Sequence, residues 1–257
     1  MREAMRERVV EATVFVGERV LWKIERLIGQ ASTVGEATFF DAGDFPWARR
    51  LEAGFPEIRA ELDRVLEDRE DLPNFQDISV DQASITTDDK WKTFFLYGYG
   101  FKSEANCARC PQTARLCREI PGMKTAFFSI LSPHKHIEEH RGPYKGVLRY
   151  HLGLRIPEPQ EGCRIRVDED VRTWTEGGSL IFDDTYEHEA WNDTDGVRVV
   201  LFVDFVRPLR FPASLINWLV LQAIAVSPFI GDAKRRHNDW EKSFEALKSR
   251  REPAPVG

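Results

Sequence analysis

Histidine, cysteine and long apolar runs are all scarce in this sequence. Its 257 residues include 6 His, 4 Cys and 3 Met. Cys107 and Cys110 form a C-x-x-C, Cys117 follows, and Cys163 is remote. A zinc site needs a fourth ligand at regular spacing, which is missing. A redox C-x-x-C needs a βαβ setting, which the surrounding pattern lacks. Reduced cysteines in a loop and helix start are the plain reading, with a regulatory disulfide as the lesser one. No segment reaches the roughly 18 consecutive apolar residues of a membrane span. The first apolar stretch, Val14-Phe15-Val16, is soon broken by Glu18 and Arg19. A secretory signal needs about 7–15 unbroken apolar residues, so the cytoplasm is the expected location. There is no basic excess either. Lys and Arg total 36 against 42 Asp and Glu, for a net charge of −6, which speaks against a nucleic-acid partner. Repeats and low-complexity segments are absent.

What remains is the composition of a globular protein, 42% hydrophobic and 30% charged, with enough chain to enclose a core. Three regions follow from the pattern. Residues 1–74 read as a helical extension. Val9, Val10, Val16, Val20, Ile24, Leu27 and Ile28 recur at helical spacing within 1–30. A second helical pattern covers 46–67, punctuated by Pro46 and Pro56, with Ile58, Leu62 and Leu66 four apart. Residues 75–208 read as strands. Trp91 to Tyr97 is aromatic and β-prone, and a short helix is expected near 111–119. Further strands are expected at 124–132, 145–155, 162–167, 171–175, 179–183, 186–191 and 197–206. Turn residues separate them, as in Glu176-Gly177-Gly178 and Asp193-Thr194-Asp195-Gly196. Consecutive short strands without helices between them predict a sandwich or barrel. Residues 209–257 return to helix, apolar over 215–226 and charged over 233–251. The expected fold is mainly β, a jelly roll or double-stranded β-helix of cupin-like type, with N- and C-terminal helices.

Alternation along the strands singles out a few polar residues. In Val147 to Leu154, one face is Leu148, Tyr150, Leu152 and Leu154. The other face carries Arg149 and His151. If that face lines a barrel, both groups need a charged or hydrogen-bonding partner, and an anion is the simplest. On an open face, Arg149 would carry no message. In the last strand, Arg198 shares a face with Val200, Phe202 and Asp204. It also calls for an anion, which an Arg grips with two parallel hydrogen bonds. Asp204 is the competing structural partner. His134, His136 and His140 cluster ahead of the Arg149 strand, and His188 lies ten residues before Arg198. The spacing H-x-H-x-x-x-H raises a three-His zinc site, but an approach loop with His136 facing substrate is the plainer reading. His237, among charged neighbours, reads as solvated. A potential metal ligand and a potential carboxylate clamp on adjacent strands match the plan of jelly-roll iron(II) oxygenases. There two histidines, usually with a carboxylate, hold iron on one face.

The segments His140-Arg141-Gly142-Pro143, Leu148 to Leu154, Ile181 to Trp191, and Arg198 occur in a recognisable order. From about Trp91 to Pro208 the chain resembles the aspartyl/asparaginyl β-hydroxylase family, which also includes bacterial lipid A 2-hydroxylases. The resemblance implies an Fe(II)- and 2-oxoglutarate-dependent dioxygenase that uses O2 to hydroxylate an unactivated carbon. It implies His140 and His188 as the metal ligands. Arg198, with Ser129 beside it, would bind the distal carboxylate of 2-oxoglutarate. Arg149 and His151 would hold the chelating end, and Trp91 would line the pocket. Gly142 stands where many relatives in the wider superfamily carry a ligand Asp. The family completes the iron sphere with water there, and Asp184 would orient it.

Three alternatives stay open. Iron halogenases also carry Gly or Ala at the Gly142 position. A non-catalytic jelly-roll module could use Arg149 and Arg198 to bind a carboxylate ligand. The substrate could be a peptide Asp or Asn, a lipid acyl chain or a small molecule. Residues 215–226, with basic residues on either side, form either an interfacial helix peripheral to the inner membrane or, more simply, a helix packed on the barrel's outer face over Leu148 and Leu152.

Overall fold

The computed structural model describes residues 23–79 and 83–251. Most of the helix expected over 1–30 lies outside the described residues. Its last part is helical at 23–31 (α1).

The strands are β1 (Phe39–Phe40), β2 (Trp91–Gly98), β3 (Phe101–Lys102), β4 (Met123–Leu131), β5 (Lys135–His140), β6 (Val147–Arg155), β7 (Cys163–Val167), β8 (Asp170–Thr173), β9 (Ser179–Phe182), β10 (His188–Asn192) and β11 (Arg198–Val206). They form two antiparallel sheets, ordered β1-β9-β6-β11-β4-β2-β3 and β5-β10-β7-β8. The eight strands β4 to β11 are shared between the sheets as β9-β6-β11-β4 and β5-β10-β7-β8, crossing at every connection but the β7–β8 hairpin, which makes the barrel a jelly roll. The two-residue strands β1, within the region read as helical, and β3 were not expected. The longer strands follow the sequence pattern except β5, which was expected as a loop. Its residues, Lys135 to His140, include one aliphatic side chain, Ile137. It is the edge strand of the smaller sheet, so its outer face is solvated and shows no alternation.

The larger sheet is buried on both faces. Its inner face joins Trp91, Leu131, Trp174, Phe182 and Val200 in one cluster. Its outer face, with Leu148, Tyr150, Leu152 and Leu154 fully buried, packs under helices α2 (Ala48–Ala53), α3 (Phe55–Leu66), α5 (Glu104–Arg109) and α6 (Pro111–Arg118). The helical pattern over 46–67 is thus two helices, broken at Gly54. The cover over Leu148 and Leu152 comes from the N-terminal side of the chain. The C-terminal helix α7 (Ala213–Ala225) instead packs with Tyr144, Val147 and Ile28 at one end of the barrel. Helix α8 (Pro228–Arg251) follows it. There His237, expected to be solvated, is 1% exposed and lies against Phe95, Phe101 and Trp240. Its polar neighbours occupy the other faces of α8.

The helical layer depends on a buried carboxylate. α6 begins at Cys110 without a side-chain cap of its own. Glu61 of α3 accepts hydrogen bonds from Gln112 N and Thr113 N, both at 2.9 Å, and from Thr113 Oγ1 at 2.6 Å. It thereby satisfies free N–H groups at the positive end of the helix. Glu61→Ala is expected to cost about 2–3 kcal/mol, since it leaves these donors buried and unpaired. A fall in the urea midpoint at constant slope would show it. An unchanged midpoint would mean that water takes over the cap.

The four cysteines are free and buried. Burial pushes the thiols of Cys107, Cys110 and Cys117 up, that of Cys110 to about 12, so they are packing residues at neutral pH.

Candidate active site

The two histidines of the proposed pair come together through an irregularity. β10 and β5 are adjacent, with His188 opposite His140 and Ala190 opposite Ile137. One residue on β10, Glu189, therefore faces two on β5, Glu138 and Glu139. The extra residue is a β-bulge. Ile137 points inward and is 5% exposed. In a regular strand a side chain three residues later would point outward. The bulge at Glu138-Glu139 turns His140 inward to meet His188, with ring centroids 4.1 Å apart.

Both rings are oriented by backbone carbonyls. His140 Nδ1 donates to Glu138 O at 2.7 Å and His188 Nδ1 to Tyr186 O at 3.0 Å. A carbonyl only accepts, so each proton sits on Nδ1 and each Nε2 keeps a free lone pair. Burial lowers the pKa of both. For His188 it does so to about 3, reinforced by the fields of His140 and Arg149. Two neutral imidazoles with exposed lone pairs and fixed tautomers fit a divalent metal. Among the described residues no group of three or more His, Cys, Asp or Glu is placed to hold one.

The protonation state of His188 gives the metal-free fold a pH dependence. An unfolded histidine titrates near about 6.5. Folded His188 accepts a proton only near pH 3. Between these values the unfolded chain binds more protons, so stability falls as pH falls. In EDTA, this residue alone is expected to cost up to about 1.4 kcal/mol per pH unit below about pH 6. Denaturation of wild type and His188→Gln should therefore converge as the medium is acidified. Parallel curves would contradict this.

Next to the pair lies a carboxylate–guanidinium chain. Arg149 of β6 donates from Nη2 to Asp184 Oδ2 at 2.7 Å and from Nε to Asp204 Oδ1 at 3.0 Å. Asp204 was expected as a rival partner for Arg198. It faces Arg149 because the two are register partners across β6 and β11. The anions around Arg149 are therefore protein carboxylates. Burial holds Asp204 at about 6, above the usual carboxylate range, although Arg149 pulls it down. Asp184 also fills the space beside Gly142. Gly142 N donates to Asp184 O at 2.7 Å, and a Cβ on Gly142 would lie 2.3 Å from Asp184 Oδ2. Asp184 Oδ1 is buried with no hydrogen-bond partner among the described residues.

Arg198 sits deeper in the barrel. It is 1% exposed, its guanidinium lies 4.4 Å over Trp174, and its Nε and Nη1 have no hydrogen-bond partner among the described residues. Burial without a close anion pulls its pKa down to about 10. Ser129, opposite Val200, accepts from Trp91 Nε1 at 3.0 Å. His151 lies between the two arginines among Trp174, Phe182 and Phe202. Both its ring nitrogens are buried without partners, and burial, then Arg149 and Arg198, holds it well below the usual histidine range. Trp174 carried no cue in the sequence, because nothing in the pattern of β8 shows what its following residue stacks on.

His134 and His136 are elsewhere. His134, at positive φ, bonds Asp195 at 3.0 Å. His136 bonds Glu189 at 2.8 Å and stacks on Trp191. The bulge puts them out of reach of a three-His site with His140.

The aspartyl/asparaginyl β-hydroxylase family matches residues 52–208. An ornithine lipid ester-linked acyl 2-hydroxylase from Rhizobium tropici is 50% identical over 97% of this chain and 89% of that protein. The mouse aspartyl/asparaginyl β-hydroxylase is 41% identical over 48% of this chain and 17% of that protein. A partial structural likeness is to a cupin domain of an XRE family transcriptional regulator from Enterobacter cloacae. It has 14% identity and a TM-score of 0.31, and covers 46% of this chain and 97% of that one. The jelly roll itself is established by the strand order. By the family match across more than half its length and by its identity to a full-length relative, this chain belongs to the aspartyl/asparaginyl β-hydroxylase family.

Proposed function

We propose that the chain is an Fe(II)- and 2-oxoglutarate-dependent dioxygenase that hydroxylates the acyl chain of an amino-acid-containing lipid. The observation that carries the chemistry is the unpaired guanidinium of Arg198, deep in the same barrel as two inward histidines with free Nε2 atoms. His140 and His188 would hold the metal. Arg198 would take the distal carboxylate of 2-oxoglutarate through two parallel hydrogen bonds, with Ser129 and Trp91 shaping that end. His151 offers its unpaired ring nitrogens to the cosubstrate's middle and chelating end. Arg149, held by two carboxylates, serves chiefly to position Asp184. Asp184 would accept a hydrogen bond from a water beside the metal through its unpaired Oδ1 and so orient it. When bound, iron with dioxygen and 2-oxoglutarate would supply the oxidising power to place one oxygen atom in a C–H bond, the other ending in succinate with release of carbon dioxide. Trp174, Phe182 and Phe202 keep water from the buried part of the site.

Two observations narrow the alternatives. A halide would need open space beside Gly142, but the Asp184 carboxylate fills it and would repel an anion. That favours hydroxylation. For the substrate, the identity to the lipid-modifying relative extends through the flanking helices, whereas the match to the mouse aspartyl/asparaginyl β-hydroxylase covers 48% of the chain.

The test is incubation of the protein with iron(II), 2-oxoglutarate, air and an ornithine-containing lipid. Succinate and a gain of one oxygen in an acyl fragment are expected. Oxygen gain on an Asp- or Asn-containing peptide, and not on lipid, would overturn the substrate. No succinate with either would overturn the oxygenase and favour a carboxylate-binding module.

A further inference from the structure

α7 has two apolar sides and a partner for one. Ala213, Asn217 and Leu221 form its buried stripe. On the opposite side, Leu215 is 49% exposed, and Trp218 and Leu219 are each 54% exposed. Phe211 before the helix and Val226 after it are exposed at 79% and 82%. These are five of the eight exposed large hydrophobic residues among those described, gathered in one stretch. A sixth, Leu27, lies on α1, which packs against α7 through Ile28 and Leu221. Isolated exposed apolar side chains are ordinary, but a concentration of this kind marks a contact surface.

The position of the helix says what covers it. Asn217 Nδ2 donates to Gly146 O at 2.8 Å, and Tyr144 packs with Leu221. Both belong to the loop that leaves His140. α7 therefore borders the barrel end that carries the histidine pair. A cleft of about 380 Å³ at this end is lined by Glu25 and Arg26 of α1 together with Arg141, Lys145 and Tyr186. Exposed cations flank the apolar side, with Arg210 before α7 and Lys234, Arg235 and Arg236 early in α8. An apolar helical face with an exposed Trp and basic flanks suits the interface of an anionic bilayer. Among the described residues no single helix is long and apolar enough to cross a membrane.

We propose that the outer face of α7 docks on an anionic lipid surface and brings the mouth of the active site to it. This rests on the reading of the substrate as a membrane lipid. It adds how an acyl chain within a bilayer could reach a barrel in water.

The test is flotation of the full chain with vesicles of equal phosphatidylcholine and phosphatidylglycerol, which contain no substrate. Wild type should float. The double variant L215S/L219S should partition at least tenfold less, with an unchanged melting temperature. Binding should weaken on pure phosphatidylcholine. Succinate formation from 2-oxoglutarate without lipid, measured on the same preparations, should be equal in the two proteins. It reports on the oxygenase reading independently of docking. Wild type remaining unbound, or the double variant floating equally well, would overturn the proposal. A wild-type dimer that becomes a monomer in the double variant, without vesicle binding, would also overturn it and assign the face to a second copy of the chain.

Discussion

Replacing His188 by alanine is expected to abolish 2-oxoglutarate turnover and iron(II) binding together. The remaining imidazole, His140, loses its register partner on β10, and its neighbour on β5, His136, is engaged with Glu189 and Trp191. Loss of groups that only orient a ligand typically costs about 10–100-fold, so loss of the ligand itself should exceed about 100-fold. Succinate release and anaerobic iron titration would measure both effects. His136→Ala is the matched control and should leave iron binding within about twofold, since its partners lie outside the pair. Equal loss in the two variants would mean that the metal sits elsewhere on β5.

The second large effect separates stability from activity. Arg198→Met is expected to raise the KM for 2-oxoglutarate by about 10–100-fold, the value of a charge-assisted contact of roughly 1.5–3 kcal/mol. The metal-free protein should melt at the same temperature or higher. A buried cation without an anion is costly, and the lowered pKa of this guanidinium reflects that cost. Met fills a similar volume without a charge. Arg198→Lys should not restore the KM, because an ammonium cannot make two parallel bonds to a carboxylate. An unchanged KM in Arg198→Met would refute the assignment. A large drop in melting temperature would show that the charge has a structural partner.

Much of this was legible in the sequence because strand alternation survives where both faces are buried. Leu148, Tyr150, Leu152 and Leu154 turned one way and Arg149 and His151 the other, as the alternation requires. Partners were harder to read. Asp204 could be assigned to Arg149 only once β6 and β11 were in register. β5 was hidden because an edge strand with a solvated face has no apolar rhythm. His237 was misread because one buried position on a charged helix looks like its neighbours. α7 was read as cover for the barrel because its apolar content is high on all sides. Composition cannot say which side of such a helix is occupied, and α2 and α3 had already taken the place over Leu148 and Leu152.

The bulge between Ile137 and His140 makes the proposed metal pair a matter of strand geometry as well as of chemistry. Two histidines on paired strands would normally be interchangeable with any residues of the same parity. Here one surplus amino acid sets that parity. Deleting Glu138 or Glu139, both solvent-exposed, would leave His140 two residues after Ile137, where a regular ladder against β10 still turns it inward. The shortened protein should therefore keep the histidine pair facing inward, whereas the full-length strand drawn into a regular ladder would carry His140 to the outside with every chemical residue in place. The irregularity of an edge strand is thus as much a part of the candidate site as the histidine at its end.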